Sequence, residues 1–387
     1  MWFFRSPLVA FGEDALSHLE QVKGKRAFIV TDTIMQQLGF VDQVQARLGV
    51  AGLESACFTD VQPDPDLRAV QRCAAAMSAY EPDWVIGLGG GSVMDVAKSA
   101  WFLYERPDLS LESLNPVEDF GLRARARLIM IPTTAGSGSE VSFGVVIKDE
   151  QARQKLELAS FELLPDIAIV DPALSSRMPA GLTADTGADA LAHAIEGYNS
   201  TWSNDFTDGM AVHAVRLVFQ YLPAAVQDGG DAEARQHMAN AATIAGLVVN
   251  NTNIVLAHAF GHSAGVIFHL PHGRITALFL PYVIEYLGNG GAGRFCDLAA
   301  VLGLPAADEG QAAASLAEAV RDLLKQVGLP VTLAQAGITR QNFDQELEIL
   351  CDRAQMDTGM VMSRRIPDID EIRRLFEAAY TGAHVDF

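Results

Sequence analysis

Short apolar runs alternate with amphipathic stretches through the first half of the chain. That alternation predicts strands of a parallel sheet linked by helical crossovers, because each buried strand must be carried back to the same end of the sheet. Residues 26–32 (RAFIVTD) read as a buried strand rich in β-formers. Residues 83–92 (DWVIGLGGGS) read as a strand running into a glycine turn, and 126–140 (ARLIMIPTTAGSGSE) repeat that plan. The last clear strand lies in 166–174 (DIAIVDPAL). From about Thr183 the strand signal fades, and helix-like segments follow at 183–198, 205–222, 233–249, 310–328 and 369–380. The expected architecture is an α/β domain with a parallel sheet over residues 1–180, then an all-α domain over 181–387. The two are expected to pack around a cleft, and 387 residues are in any case more than one core usually spans.

Composition narrows the chemistry. Hydrophobic residues make up 49% of the chain, enough for well-packed cores. With 48 acidic against 28 basic side chains the formal charge is −20, which argues against nucleic acid and against anionic membrane surfaces as partners. A phosphate-bearing ligand must then be held by local backbone amides. Cys57, Cys73, Cys296 and Cys351 lie far apart, the pattern of reduced thiols in a cytoplasmic protein. The most apolar run, ITALFLPYVIEYL at 275–287, is too short to span a bilayer and contains Pro281 and Glu285. Arg5, Pro7, Glu13 and Asp14 break up any signal-peptide core, so a soluble protein is expected.

Two glycine-rich turns follow strands. In GLGGGSVMDVAK (87–98) the glycines let backbone approach a ligand closely, and the helix that follows turns free N–H groups toward an anion. The dinucleotide fingerprint G-x-G-x-x-G stops short, with Ser92 in place of the third glycine. The second turn, PTTAGSGSE (132–140), shifts the balance from a structural turn toward a ligand site, since both loops would meet at the carboxyl edge of one sheet. Neither loop continues as G-K-[ST], and neither contains G-x-S-x-G, which sets aside P-loop enzymes and serine hydrolases. Asp32, ending the first strand, has two readings of equal weight. It either caps the helix beginning at Thr33, or accepts hydrogen bonds from an adenosine ribose.

Four of the nine histidines fall within AHAFGHSAGVIFHLPHGR (257–274): His258, His262, His269 and His272. Neutral imidazole binds Fe²⁺, Zn²⁺ and their neighbours well. The zinc-protease motif H-E-x-x-H is absent. Upstream, Asp189 and His193 share a helix face at i, i+4, with Asp185 and Glu196 near the same stripe. One carboxylate with three imidazoles would complete a four-ligand divalent site that keeps net positive charge. Spacing alone leaves open which of Asp185, Asp189 and Glu196 is the acid, and which three of the downstream histidines and His193 bind.

Taken in order, these segments resemble the iron-containing (group III) alcohol dehydrogenases over nearly the whole chain. The match runs through FG at 11–12, VTD at 30–32, GGGSVMDVAK at 89–98, PTTAGSGSEVS at 132–142, GADALAHAIEGY at 187–198, HAFGHSAGVIFHLPHG at 258–273 and SRRIPDIDEIRRLFEAAY at 363–380. The resemblance implies metal ligands at Asp189, His193, His258 and His272. It implies that His262 lines the site without binding the metal, as the candidate to relay a proton, and it gives His269 no role. Cofactor contacts are implied at Asp32, Gly90, Gly91, Ser92, Thr133, Thr134, Ser137 and Lys155, with Asp64 at the adenosine. Asp95 and Lys98 also match, in either structural pairing or nicotinamide contact, and Gly144 replaces a polar residue of some members.

The function implied is reversible hydride transfer between NAD(H) and a small alcohol or its aldehyde or ketone, with Fe²⁺ or Zn²⁺ as the metal. The protein is expected to be a homodimer or larger homo-oligomer. The alternatives are a hydroxyacid–oxoacid transhydrogenase or another polyol dehydrogenase of the same fold, and a non-catalytic metal- and nucleotide-binding sensor.

Overall fold

The computed structural model describes residues 3–63, 65–149 and 154–387, in two compact units, Phe3–Arg177 and Met178–Phe387. The division falls three residues before the boundary expected from the sequence.

The first unit is built on a sheet of six parallel strands in the order β1-β8-β5-β4-β2-β3. These are β1 (Leu8–Phe11), β2 (Arg26–Val30), β3 (Glu54–Phe58), β4 (Trp84–Gly89), β5 (Arg127–Pro132) and β8 (Ile167–Val170). A separate antiparallel hairpin joins β6 (Gly144–Asp149) to β7 (Gln154–Ala159). The helices are α1 (Thr33–Gln37), α2 (Phe40–Val50), α3 (Leu67–Tyr80), α4 (Gly91–Glu105) and α5 (Pro172–Ser175). Alternation along each central strand divides the core in two. Phe28, Val30, Val85, Leu128 and Met130 pack on the face that carries α3 and α4. Ala27, Ile29, Trp84, Ile86, Ile129 and Ile131 pack on the face that carries α2. Both faces are covered, which is why these strands read as continuous apolar runs.

The sequence reading found the four central strands and missed β1, β3 and the hairpin. β1 and β3 are the edge strands and less buried than the central four: β1 is an apolar run of only four residues, and β3 opens on Glu54 and Ser55. In β6 the buried Val145 and Ile147 alternate with the exposed Val146 and Lys148, a two-residue period on a solvated hairpin.

The second unit is helical: α6 (Ala180–Asn199), α7 (Asp205–Gln227), α8 (Ala232–Thr252), α9 (Leu256–Phe268), α10 (His272–Asn289), α11 (Cys296–Val301), α12 (Glu309–Gln326), α13 (Arg340–Met356) and α14 (Ile369–Thr381). No strand is formed among the described residues of this unit. Nearly every residue of α6 from Thr183 to Asn199 is buried, and α7, α8, α9 and α10 pack around it. Among the described residues one helix, α7, is long and apolar enough to cross a membrane. It opens on a capping box formed by Asn204 and Thr207 and buries an alanine- and leucine-rich stripe, including Ala211, Ala214, Val218 and Leu222, within the bundle.

Candidate active site

Strand register sets the carboxyl edge of the sheet in the first unit. Val30 stands opposite Gly87, and Gly89 opposite Pro132. Asp32, the loop 89–92 and the loop 133–137 therefore leave the sheet at the same carboxyl edge, where open α/β sheets take their ligands. The Thr133 N–H donates to the Gly89 carbonyl at 3.0 Å, carrying the pairing one step into the loops. Gly90 caps α4, while Gly91 and Ser92 open it. N–H groups of a helix's first turn have no acceptor within the helix and favour an anion. A β-carbon on Gly90 would lie 3.3 Å from Thr134 Cγ2, and one on Gly91 3.3 Å from Ser137 Oγ. The two loops thus abut with backbone facing side chain, a cradle that any larger residue would fill.

Asp32 is an N-cap: its Oδ1 accepts from the amides of Ile34 at 2.8 Å and Met35 at 2.9 Å. The cap leaves Oδ2 uncommitted, so both readings of Asp32 fit one side chain. Asp95 accepts from Ser139 Oγ at 3.0 Å and from the Val146 amide at 3.1 Å, a positioning role for the second loop and the hairpin. Lys98 is fully buried and donates to the Ser139 and Ser142 carbonyls at 2.7 and 2.8 Å. Burial lowers its ammonium to about 8 against the pull of Asp95 and Glu140. Asp64 lies outside the described residues. Lys155 is described by its backbone alone, paired with Lys148.

In the helical unit the three candidate acids separate by partner. Asp185 accepts two bonds from Arg274, at 2.9 and 3.1 Å. Glu196 faces His258 Nδ1 in a short hydrogen bond and accepts the amides of Val255, Ala257 and His258. Burial pushes the Glu196 carboxyl up to about 7 despite those amides. Asp189 remains. Its buried Oδ1 has no protein partner and lies 3.7 Å from His258 Nε2 and 3.6 Å from His272 Nε2. His258 Nε2 is likewise buried without a partner. Ligand atoms of Asp189, His258 and His272 all lie within 4.8 Å of one another. His193 joins by a stacked ring, its centroid 4.7 Å from that of His258, and its buried Nδ1 also lacks a partner.

Buried atoms without a hydrogen-bond partner on Asp189, His193 and His258, with His272 Nε2 beside the same Asp189 oxygen, fit a divalent cation, since such atoms otherwise carry an uncompensated desolvation cost. The electrostatics agree. Burial alone would raise Asp189, yet the surrounding imidazoles, His193 foremost, hold it below the ordinary carboxylate range. Burial and the neighbouring His193 push His258 well below its ordinary value, toward the neutral form a metal requires.

His262 follows His258 by one turn of α9, its ring centroid 5.3 Å from that of His272. Its Nδ1 bonds Asp357 Oδ2 at 2.8 Å. Burial raises Asp357, but the bond to His262 holds it below the usual range. His269 caps α9 in the left-handed conformation, φ 53°, and is exposed, which accounts for it by the backbone alone. His272 is the first residue of α10, with Pro271 as its N-cap. Sequence reasoning missed the pairing of Glu196 with His258 and missed Asp357 altogether.

Gly273 lets the start of α10 approach Asp185 and Asp189 closely. A β-carbon there would collide with the Asp185 carbonyl and lie 2.8 Å from Asp189 Cβ, so any side chain must push the start of α10, and His272 with it, away from Asp189. Gly273→Ala is expected to lose metal and turnover. Gly209→Ala, where a β-carbon meets nothing within 4 Å, is expected to keep both. Elemental analysis of the two variants checks this; full metal content in Gly273→Ala would contradict it.

These are the parts of a nucleotide-linked, metal-dependent oxidoreductase. Residues 7–172 match the iron-containing alcohol dehydrogenase model, and residues 183–380 match the C-terminal model of the Fe-containing alcohol dehydrogenase family. The chain belongs to the iron-containing alcohol dehydrogenase family. It is 36% identical to the NADPH-dependent butanol dehydrogenase of Clostridium saccharobutylicum over 98% of both chains. Aldehyde-alcohol dehydrogenases are also matched, over less than half of their own length. A 1,3-propanediol oxidoreductase structure superposes with a TM-score of 0.91 at 30% identity, covering 98% of this chain and 100% of that one. The sulfoacetaldehyde reductase of Bifidobacterium kashiwanohense, solved with NAD+, gives 0.87 at 27% identity, covering 98% of both.

Proposed function

We propose that the protein is a metal-dependent alcohol dehydrogenase moving a hydride reversibly between NAD(H) and a small alcohol or its aldehyde or ketone. The observation that carries this is the Asp189 carboxylate, buried with an unpaired oxygen and ringed by His193, His258 and His272. Asp189, His193, His258 and His272 would hold the metal. When bound, the ion supplies Lewis acidity that lowers the pKa of a substrate hydroxyl or polarises a carbonyl. Fe²⁺ is the ion of the family's name, while Zn²⁺ binds such donors more tightly on intrinsic affinity, so availability decides the occupant.

The chain's own residues do the rest. Glu196 fixes the His258 ring with Nε2 toward Asp189, and the Gly90–Ser92 amides and Thr133–Ser137 loop receive the dinucleotide. A dinucleotide held there would supply the hydride acceptor for the carbinol C–H, and His262 is placed to take the hydroxyl proton and pass it to solvent. Four free cysteines support a reducing, cytoplasmic setting.

An anaerobic screen of short alcohols and diols with NAD+, in Fe²⁺- or Zn²⁺-loaded protein, tests the reading by NADH absorbance. The absence of alcohol-dependent NADH with every substrate and either metal would sink it. His262→Ala is expected to retain the metal but lower kcat by roughly 10²-fold or more, the size of a lost proton-transfer group. Loss of the metal in that variant would make His262 a ligand instead.

A further inference from the structure

We propose that Asp357 is a positioning residue for this reaction, fixing which nitrogen of His262 meets the substrate; the proposal rests on the relay role given to His262 above. Asp357 is the C-cap of α13, 95 residues from His262 in sequence, and its side chain is only 7% exposed. Both of its oxygens are engaged. Oδ1 accepts the Gly359 N–H at 2.8 Å, and Oδ2 meets His262 Nδ1 at 2.8 Å. An ionised carboxylate only accepts, so the proton of a neutral His262 sits on Nδ1, and whatever His262 exchanges with a substrate passes through Nε2. That nitrogen is on the ring that stacks against His272, 5.3 Å between centroids at 22°, which brings His262 beside the ligand group. In the oxidation direction the substrate O–H bond breaks, its proton adds to Nε2, and the hydride goes to the nicotinamide. The imidazolium so formed is stabilised by the carboxylate on its far side.

The competing account is that Asp357 only ties the end of α13 to α9. Asp357→Asn separates the two. Asparagine keeps the size and, through its oxygen, the bond from Gly359 N–H, but turns an NH₂ donor toward His262 Nδ1. Rotating the amide would set NH₂ against the Gly359 N–H, so the variant holds His262 with Nδ1 as acceptor and the proton on Nε2. The wrong tautomer then faces the substrate.

The experiment uses the full-length Zn²⁺-loaded protein in four forms: wild type, D357N, H262A and the double variant. ¹⁵N spectra of histidine-labelled protein should show His262 protonated on Nδ1 in wild type and on Nε2 in D357N. D357N should lose roughly 10²-fold in kcat with KM, metal content and melting temperature kept, and the double variant should be no slower than H262A. Unchanged kcat in D357N, or losses that add in the double variant, overturns the proposal in favour of a structural tie. Wild-type turnover in H262A overturns the relay reading of His262 and with it the role of Asp357. Spectra with the inverted assignment overturn the pair alone.

Discussion

His258→Ala is expected to strip the protein of its metal and abolish turnover, the largest single effect available in the helical unit. His258 sits at the centre of the four side chains proposed to hold the metal. Its Nε2 faces Asp189 at 3.7 Å, its ring stacks on His193, and its Nδ1 is gripped by Glu196. Removing it leaves three donors and a buried carboxylate short of compensation, and a three-ligand remnant holds a divalent ion poorly. His272→Ala should behave alike despite its greater exposure, because its Nε2 lies 3.6 Å from the same Asp189 oxygen. Glu196→Gln should be graded, not absolute: metal affinity falls roughly 10–100-fold, as for other carboxylates that orient a ligating imidazole. His269→Ala should change neither metal nor turnover, since that side chain is an exposed helix cap. Elemental analysis beside kcat checks the series. Full metal content in His258→Ala or His272→Ala would break the ligand assignment.

Glu196 shows how far the sequence reaches. At i+7 from Asp189 it shares the helix stripe, and nothing in spacing distinguishes a ligand from a ligand's support. The distinction came from α9, whose first amides and His258 Nδ1 converge on that carboxylate and leave Asp189 the unpaired acid. Asp185 was settled the same way, by Arg274 across the α6–α10 contact. Asp357 left no trace in the sequence because its partner is 95 residues away and no local period connects them. The glycine loops were legible for the opposite reason. A strand, a glycine turn and a helix are local, and two of them in parallel strands must meet at one edge. The central strands were legible because both faces are buried, whereas β1 and β3 gain their strand character from hydrogen bonding at the sheet edge.

Cofactor choice turns on Asp32. At 36% identity the family includes an NADPH-dependent butanol dehydrogenase, so membership alone does not fix the cofactor, and the local chemistry must. Asp32 follows β2 at the carboxyl edge shared with the glycine loop, and Thr31 ties that end to β4 through the Leu88 carbonyl at 2.7 Å. Its Oδ1 is committed to the α1 amides, while Oδ2 is available to ribose hydroxyls. Against NADP the same oxygen meets a 2′-phosphate carrying close to two negative charges, and residues 33–44 contain no Lys or Arg to offset it. At an effective dielectric near a protein surface, like charges at contact distance cost about 4 kcal/mol, less what water and salt screen from a half-buried side chain. The expected preference for NAD is roughly 10²-fold or more in kcat/KM, each tenfold being about 1.4 kcal/mol. Asp32→Asn keeps an N-cap oxygen and removes the charge, so it should relax the preference with little loss of stability. Asp32→Gly should relax it too, but with weaker NAD binding through the lost ribose hydrogen bonds; glycine is a tolerated cap. The measurement is kcat/KM for both cofactors in all three proteins at one ionic strength. If wild type uses NADP as readily as NAD, or if Asp32→Asn leaves the ratio unmoved, Asp32 is a helix cap and nothing more.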